Sequence, residues 1–164
     1  VNTTHTVSTR QAHYHLFRKD FAFSDPSVDV PGAFSSPSLS VLVDNSSFNG
    51  WALYFTANLD RASGYLKCFL TYRKGFDREK RIFETIKASL DEYKGNLGDS
   101  LDYWEDVSTG RPRIGYFRPI SLDFLSIGEK NQEYDDAVRW MKAHLDNLVS
   151  ILNPQIQRML GHSN

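Results

Sequence analysis

A chain of 164 residues, 40% hydrophobic and 24% charged, has the length and apolar content of one ordinary domain with a sizeable core. Its formal net charge of -1 gives no whole-domain pull toward nucleic acid or an anionic surface. No apolar run approaches the ~20 residues a membrane span needs. A single cysteine, Cys68, excludes an internal disulfide framework.

Residues 1–7 are polar, and Ser8-Thr9-Arg10-Gln11 matches a capping box. A helix is expected from Thr9 to about Phe21, with Tyr14, Phe17 and Phe21 facing inward. Ser24 to Ser38 reads as a long loop punctuated by Pro26, Pro31 and Pro37. Leu39 to Asp44 reads as a strand, and Asn45 to Gly50 as a turn.

The chain's organising stretch then runs from Trp51 to Pro119. Trp51 to Asn58 alternates as a strand, with Trp51, Leu53, Phe55 and Ala57 on one face. Tyr65 to Arg73 alternates likewise, with Leu66, Cys68, Leu70 and Tyr72 on the apolar face and Lys67, Thr71 and Arg73 opposite. The polar connection from Leu59 to Gly64 makes the two an antiparallel hairpin. Asp77 is the expected N-cap of a central helix, whose stripe of Ile82, Ile86, Leu90, Tyr93 and Leu97 ends at Gly98. A second hairpin pairs Leu101–Val107 with Arg113–Arg118 around Ser108-Thr109-Gly110.

Past a mixed connection from Ile120 to Glu133, a final helix is expected from near Tyr134. Its stripe is Trp140, Met141, His144, Leu145, Leu148, Ile151 and Leu152, and Asn153-Pro154 should end or kink it. The fold class is therefore α+β: about five antiparallel strands with helices on one face, in the order α-βββ-α-ββ-α. Residues 1–164 form one domain, and a start at Val1 suggests a piece of a longer protein. The expected core includes Trp51, Leu53, Phe55, Leu66, Cys68, Leu70, Ile86, Leu90, Leu145 and Leu148.

Catalytic chemistry finds little support. His13 and His15 lie two apart on a helix and point in different directions, while His144 beside an apolar stripe reads as structural. A restriction-type nuclease needs carboxylates and a lysine around magnesium, with an acid and a Lys two apart on a strand. Glu79-Lys80 and Glu129-Lys130 are adjacent, and Glu92-Tyr93-Lys94 falls on the central helix. Asp60 precedes Tyr65-Leu66-Lys67, but Tyr65 stands where the second carboxylate belongs. There is no Gly-rich phosphate loop and no Gly-x-Ser-x-Gly elbow. No catalytic residue, metal ligand or cofactor is assigned.

Basic residues are the remaining signal. Arg61, Lys67, Arg73, Lys74, Arg78 and Lys80 outnumber Asp60, Asp77 and Glu79, and Arg111, Arg113 and Arg118 lie on the neighbouring hairpin. If the hairpins share a sheet, Lys67, Arg73, Lys74, Arg111, Arg113 and Arg118 form a basic face with Phe69 and Tyr116 nearby, suited to phosphates. A solvated face balanced by Asp99, Asp102, Glu105 and Asp106 is the competing reading. These charges are expected to be exposed and to add little stability.

Several stretches resemble a bacterial domain family of unknown function, found as a C-terminal module of restriction-endonuclease-like and defence-associated proteins. They are Arg10-Gln11 to Phe17, Trp51 to Arg73, Phe83 to Gly98, and Leu101-Asp102-Tyr103-Trp104-Glu105 followed by Arg113-Ile114-Gly115-Tyr116. The segment Trp140 to Leu152 with Asn153-Pro154-Gln155-Ile156 also fits. Tyr103 places Trp104 one residue later than the family's pattern, which reads as a bulge. The resemblance implies a non-catalytic recognition module contacting nucleic acid or a partner protein. A divergent magnesium-dependent nuclease and a homo-oligomerisation module are the alternatives. The lone cysteine and the lack of a basic-then-apolar leader point to a cytoplasmic setting with no membrane partner.

Overall fold

The computed structural model describes residues 38–42, 52–60, 64–119 and 132–161. The expected lead-in helix, the Ser/Pro loop and Trp51 lie outside the described residues. Strands β1 (Ser38–Leu42), β2 (Leu53–Asp60) and β3 (Tyr65–Tyr72) come first. Helices α1 (Asp77–Ala88) and α2 (Leu90–Leu97) follow. Strands β4 (Asp102–Glu105) and β5 (Pro112–Pro119) precede the long α3 (Gln132–Met159). This is the mixed helix-and-strand class with an antiparallel sheet that the periodicities imply.

The strands lie in the order β1-β2-β3-β5-β4. Each neighbouring pair is antiparallel. β5 is therefore inserted between β3 and its own hairpin partner. Alternation sends Leu53, Phe55 and Ala57 of β2, Leu66, Cys68 and Leu70 of β3, and Ile114 and Tyr116 of β5 into one buried cluster. The helices close this cluster with Ile82, Phe83 and Ile86 of α1, Leu97 of α2, and Met141, Leu145, Leu148 and Leu152 of α3. Of the expected core residues described here, all are buried except Leu90, which packs half-buried at the edge.

Four local expectations are corrected. The central helix is not continuous: at Ser89 the backbone turns to φ -103°, ψ 19°, and its N–H bonds back to the Ile86 carbonyl at 3.0 Å. Beyond the break, Leu97 at the end of α2 is still buried in the core. Asp77 does not cap α1; Phe76 holds the cap position in an extended conformation, without a side-chain bond. Pro154 does not end α3, which continues to Met159 and carries Ile156 into the core. Finally, β4 pairs with β5 without a bulge, Trp104 standing directly opposite Arg113.

Between β4 and β5 the turn is organised by Asp106. Its carboxylate accepts bonds from the Ser108 hydroxyl (2.9 Å), the Thr109 hydroxyl (2.7 Å) and the Thr109 N–H (3.2 Å). Gly110 adopts φ 71°, a conformation other residues avoid.

Candidate nucleic-acid interface

The sheet has a second face, turned away from α1 and α3, and the strand register fixes its rows. Tyr54, Thr71, Arg113 and Trp104 are aligned across β2, β3, β5 and β4. Thr56, Phe69, Gly115 and Asp102 form the next row, and Asn58, Lys67 and Phe117 the one after.

Aromatic rings make a connected chain over this face. Trp104 meets Phe69 edge-on at 5.9 Å between centroids and Phe117 at 5.2 Å. Phe117 in turn meets Tyr65 at 5.8 Å. Gly115 lies in the register between these rings and carries no side chain to separate them. Phe69 is buried, Trp104 and Tyr65 are half-buried, and Phe117 is 47% exposed.

The six basic residues expected to share this face do not all do so. Lys67 lies on it, half-buried beside Phe117. Arg111 reaches it from the start of β5, where its guanidinium donates to the Tyr54 hydroxyl at 3.3 Å. Arg113 lies on it but is turned inward, stacked over Phe69 at 4.2 Å and 3.6 Å from the Asp106 carboxylate. Its side chain is only 14% exposed, so the expectation of an exposed charge is corrected. Arg73 and Lys74 are exposed in the turn that follows β3.

Arg118 is on the opposite side of the sheet. It pairs in register with the buried Leu66 and lies 5.7 Å from the Trp140 ring of α3. Tyr116 is likewise removed from the basic face: it is buried on the helix side, its hydroxyl donating to the Leu97 carbonyl. Parity along β5 carries this signal. Residues 111, 113 and 117 fall on one face, and Ile114, Tyr116 and Arg118 on the other. The same parity identifies Phe117, and register identifies Trp104, both absent from the sequence-read site.

Electrostatics at the Asp106 turn are settled locally. The Thr109 hydroxyl bond, followed by the Ser108 hydroxyl and the Arg113 charge, holds the Asp106 carboxyl below its usual range against the opposing effect of burial. Asp102 is exposed on this face of β4, so the aromatic chain is bordered by an acid on that edge, while Glu105 falls on the helix side and accepts from the Tyr103 hydroxyl at 3.1 Å.

The other candidates are structural. Cys68 is buried, its thiol 3.6 Å from the Met141 carbonyl, and burial pushes its pKa far above the ordinary thiol range. His144 is 2.8 Å through Nδ1 from the Trp140 carbonyl, and its ring stacks on Trp140 at 4.3 Å. Glu92 and Lys94 lie on α2, as their spacing implied, away from any strand. Among the described residues no three His, Cys, Asp or Glu side chains converge to hold a metal ion. No described helix is long and apolar enough to cross a membrane. Comparison with known proteins adds no relative: no family model, curated protein or solved structure matches the chain.

Proposed function

We propose that this chain is a non-catalytic recognition module that lays single-stranded nucleic acid across the outer face of its sheet. One observation carries the reading: the Trp104–Phe117–Tyr65 ring chain flanked by Lys67 and Arg111. Flat rings accept bases of any sequence by stacking, at ~1–3 kcal/mol per base, while cations track the phosphates. Duplex DNA hides its base faces and gains less from such a surface. Arg113, held by Asp106 and Phe69, acts as a prop that keeps the Phe69 ring in place beneath Trp104.

The resemblance of Leu101–Glu105 and Arg113–Tyr116 to a defence-associated bacterial module supports a place in a restriction-type or antiphage system, in the cytoplasm. With it comes a lead-in helix preceding a sheet of about five strands.

Fluorescence anisotropy with labelled single-stranded DNA and RNA, and with the matching duplex, tests the reading. Single strands should bind more tightly than the duplex, with affinity falling as salt rises, by a slope of about -0.7 per phosphate contacted. Trp104→Ala should weaken binding about 5- to 160-fold, the equivalent of one stacked base. Lys67→Ala should flatten the salt slope. Absence of binding at low salt removes the nucleic-acid reading and leaves a partner protein or a second copy of the chain. Magnesium-dependent cleavage lost on changing Asp60 or Lys67 would replace it with a nuclease.

A further inference from the structure

A cleft of about 600 Å³ opens where the turn after β3 faces the turn between β4 and β5. That volume lies within the range of small-ligand sites. Three cations line it, Lys74, Lys80 and Arg111, against one carboxylate, Asp77. Tyr72 and Phe76 supply flat apolar wall.

The cations are differently placed for binding. Lys74 and Lys80 make no ion pair among the described residues. Their neighbour Arg78 is committed elsewhere, its guanidinium bonded to Glu79 at 2.8 and 3.1 Å. Arg111 is anchored by the Tyr54 hydroxyl through one nitrogen, which leaves most of its five N–H donors for a ligand. The two turns come from distant parts of the chain, so only the folded sheet brings these charges together.

We propose that this cleft binds a nucleoside phosphomonoester. Three cations less one carboxylate leave a net local charge of +2. A terminal phosphate carries about -1.5 to -2 at pH 7, whereas a carboxylate or a bridging diester carries a single charge. The phosphate fills a small part of the space, and the remainder, walled by Tyr72 and Phe76, suits a sugar and a flat base. A free nucleotide and the 5′-phosphorylated end of a strand present the same chemistry. The inference goes beyond the sheet-face reading and shares only Arg111 with it.

The test uses the full chain. Calorimetric titration with adenosine 5′-monophosphate, adenosine and inorganic phosphate should show the nucleotide binding about tenfold or more tightly than either fragment, because charge and ring contacts combine. The double variant Lys74→Ala, Lys80→Ala should lose that preference, and Lys74→Arg with Lys80→Arg should keep it. Unchanged thermal midpoints in both show that loss of binding is not loss of fold. A 5′-phosphorylated oligonucleotide favoured over its 5′-hydroxyl twin, with the preference gone in the Ala variant, identifies a strand end as the source. Nucleotide binding without an end preference identifies a free nucleotide. Either result supports the proposal. Nucleotide bound no more tightly than inorganic phosphate, or binding untouched in the Ala variant, overturns it. Failure of the sheet-face reading is read separately, by Trp104→Ala acting on the 5′-hydroxyl strand.

Discussion

Replacing Tyr116 with Phe removes one oxygen from a closed contact between the sheet and the helical layer. Tyr116 is 1% exposed, and its hydroxyl donates to the carbonyl of Leu97, the last residue of α2. The helix has no donor left for that carbonyl: the Gly98 N–H bonds to Lys94, and the Leu101 N–H bonds to Gly98. Phe keeps the ring and its edge-on contact with His144 at 4.6 Å, so the change isolates the hydrogen bond. Leaving a buried carbonyl without a donor costs about 1–3 kcal/mol. For a chain of this size each kcal/mol moves the midpoint by about 2–4 °C. Urea unfolding followed by circular dichroism should show a lower midpoint at an unchanged slope.

The pH dependence provides an independent check. Burial, reinforced by the nearby Cys68, pushes the Tyr116 phenol up to about 12, above its ordinary value of 10.0. The folded chain therefore holds this proton more tightly than the unfolded chain does. The stabilisation is complete below about pH 10 and is lost as pH rises toward about 12. Phe has no such proton, so the stability gap between parent and variant should narrow across that window. A variant as stable as the parent at neutral pH, or a gap that stays constant from pH 10 to 12, would refute the reasoning.

Other positions give sharper structural tests. A methyl group at Gly115 would overlap the Cys68 carbonyl oxygen and come within 2.6 Å of the Phe69 Cα, both backbone. Gly115→Ala should therefore cost about 1–3 kcal/mol or more and weaken single-strand binding by parting β3 from β5; a fully stable variant would show that the strands do not approach so closely. Asp106→Ala should destabilise by about 1 kcal/mol through loss of the turn bonds. Because the Asp106 carboxyl is held below its usual range, its contribution is present above about pH 4 and lost as pH falls through the lowered value, so parent and variant should converge in acid. Pro154→Ala restores a helical donor at an exposed site within α3 and should raise the thermal midpoint; a fall would mean that the helix is shaped around the proline. The Cys68 thiol should resist a thiol reagent in the folded protein and react on unfolding, and rapid reaction in buffer would contradict its burial.

Much of the fold was legible along the chain. Alternation placed Leu53, Phe55, Leu66, Cys68 and Leu70 on the buried face because a strand's period of two leaves no other way to hide them. Spacing of three and four residues placed Ile82, Ile86, Leu145 and Leu148 inward for the equivalent reason in helices. The break at Ser89 and the passage of α3 through Pro154 were not legible. Leu97 and Ile156 are buried in the core beyond these two points, and packing can outweigh local preference there.

The candidate site depended more heavily on tertiary structure. Composition marked Lys67, Arg73, Lys74, Arg111, Arg113 and Arg118 as one basic group with Tyr116 nearby; the parity of β5, which that grouping overlooked, puts Arg118 and Tyr116 on the other face. Strand order alone decided the rest. Because β5 lies between β3 and β4, Trp104 comes to rest against Phe69 and Phe117, and Arg113 is drawn down between Phe69 and Asp106. Arg111 meets Tyr54 across 57 residues of chain. Periodicity reports which face of its own element a residue occupies; which elements become neighbours is decided by the free energy of closing the whole sheet over one core, and no local pattern contains it.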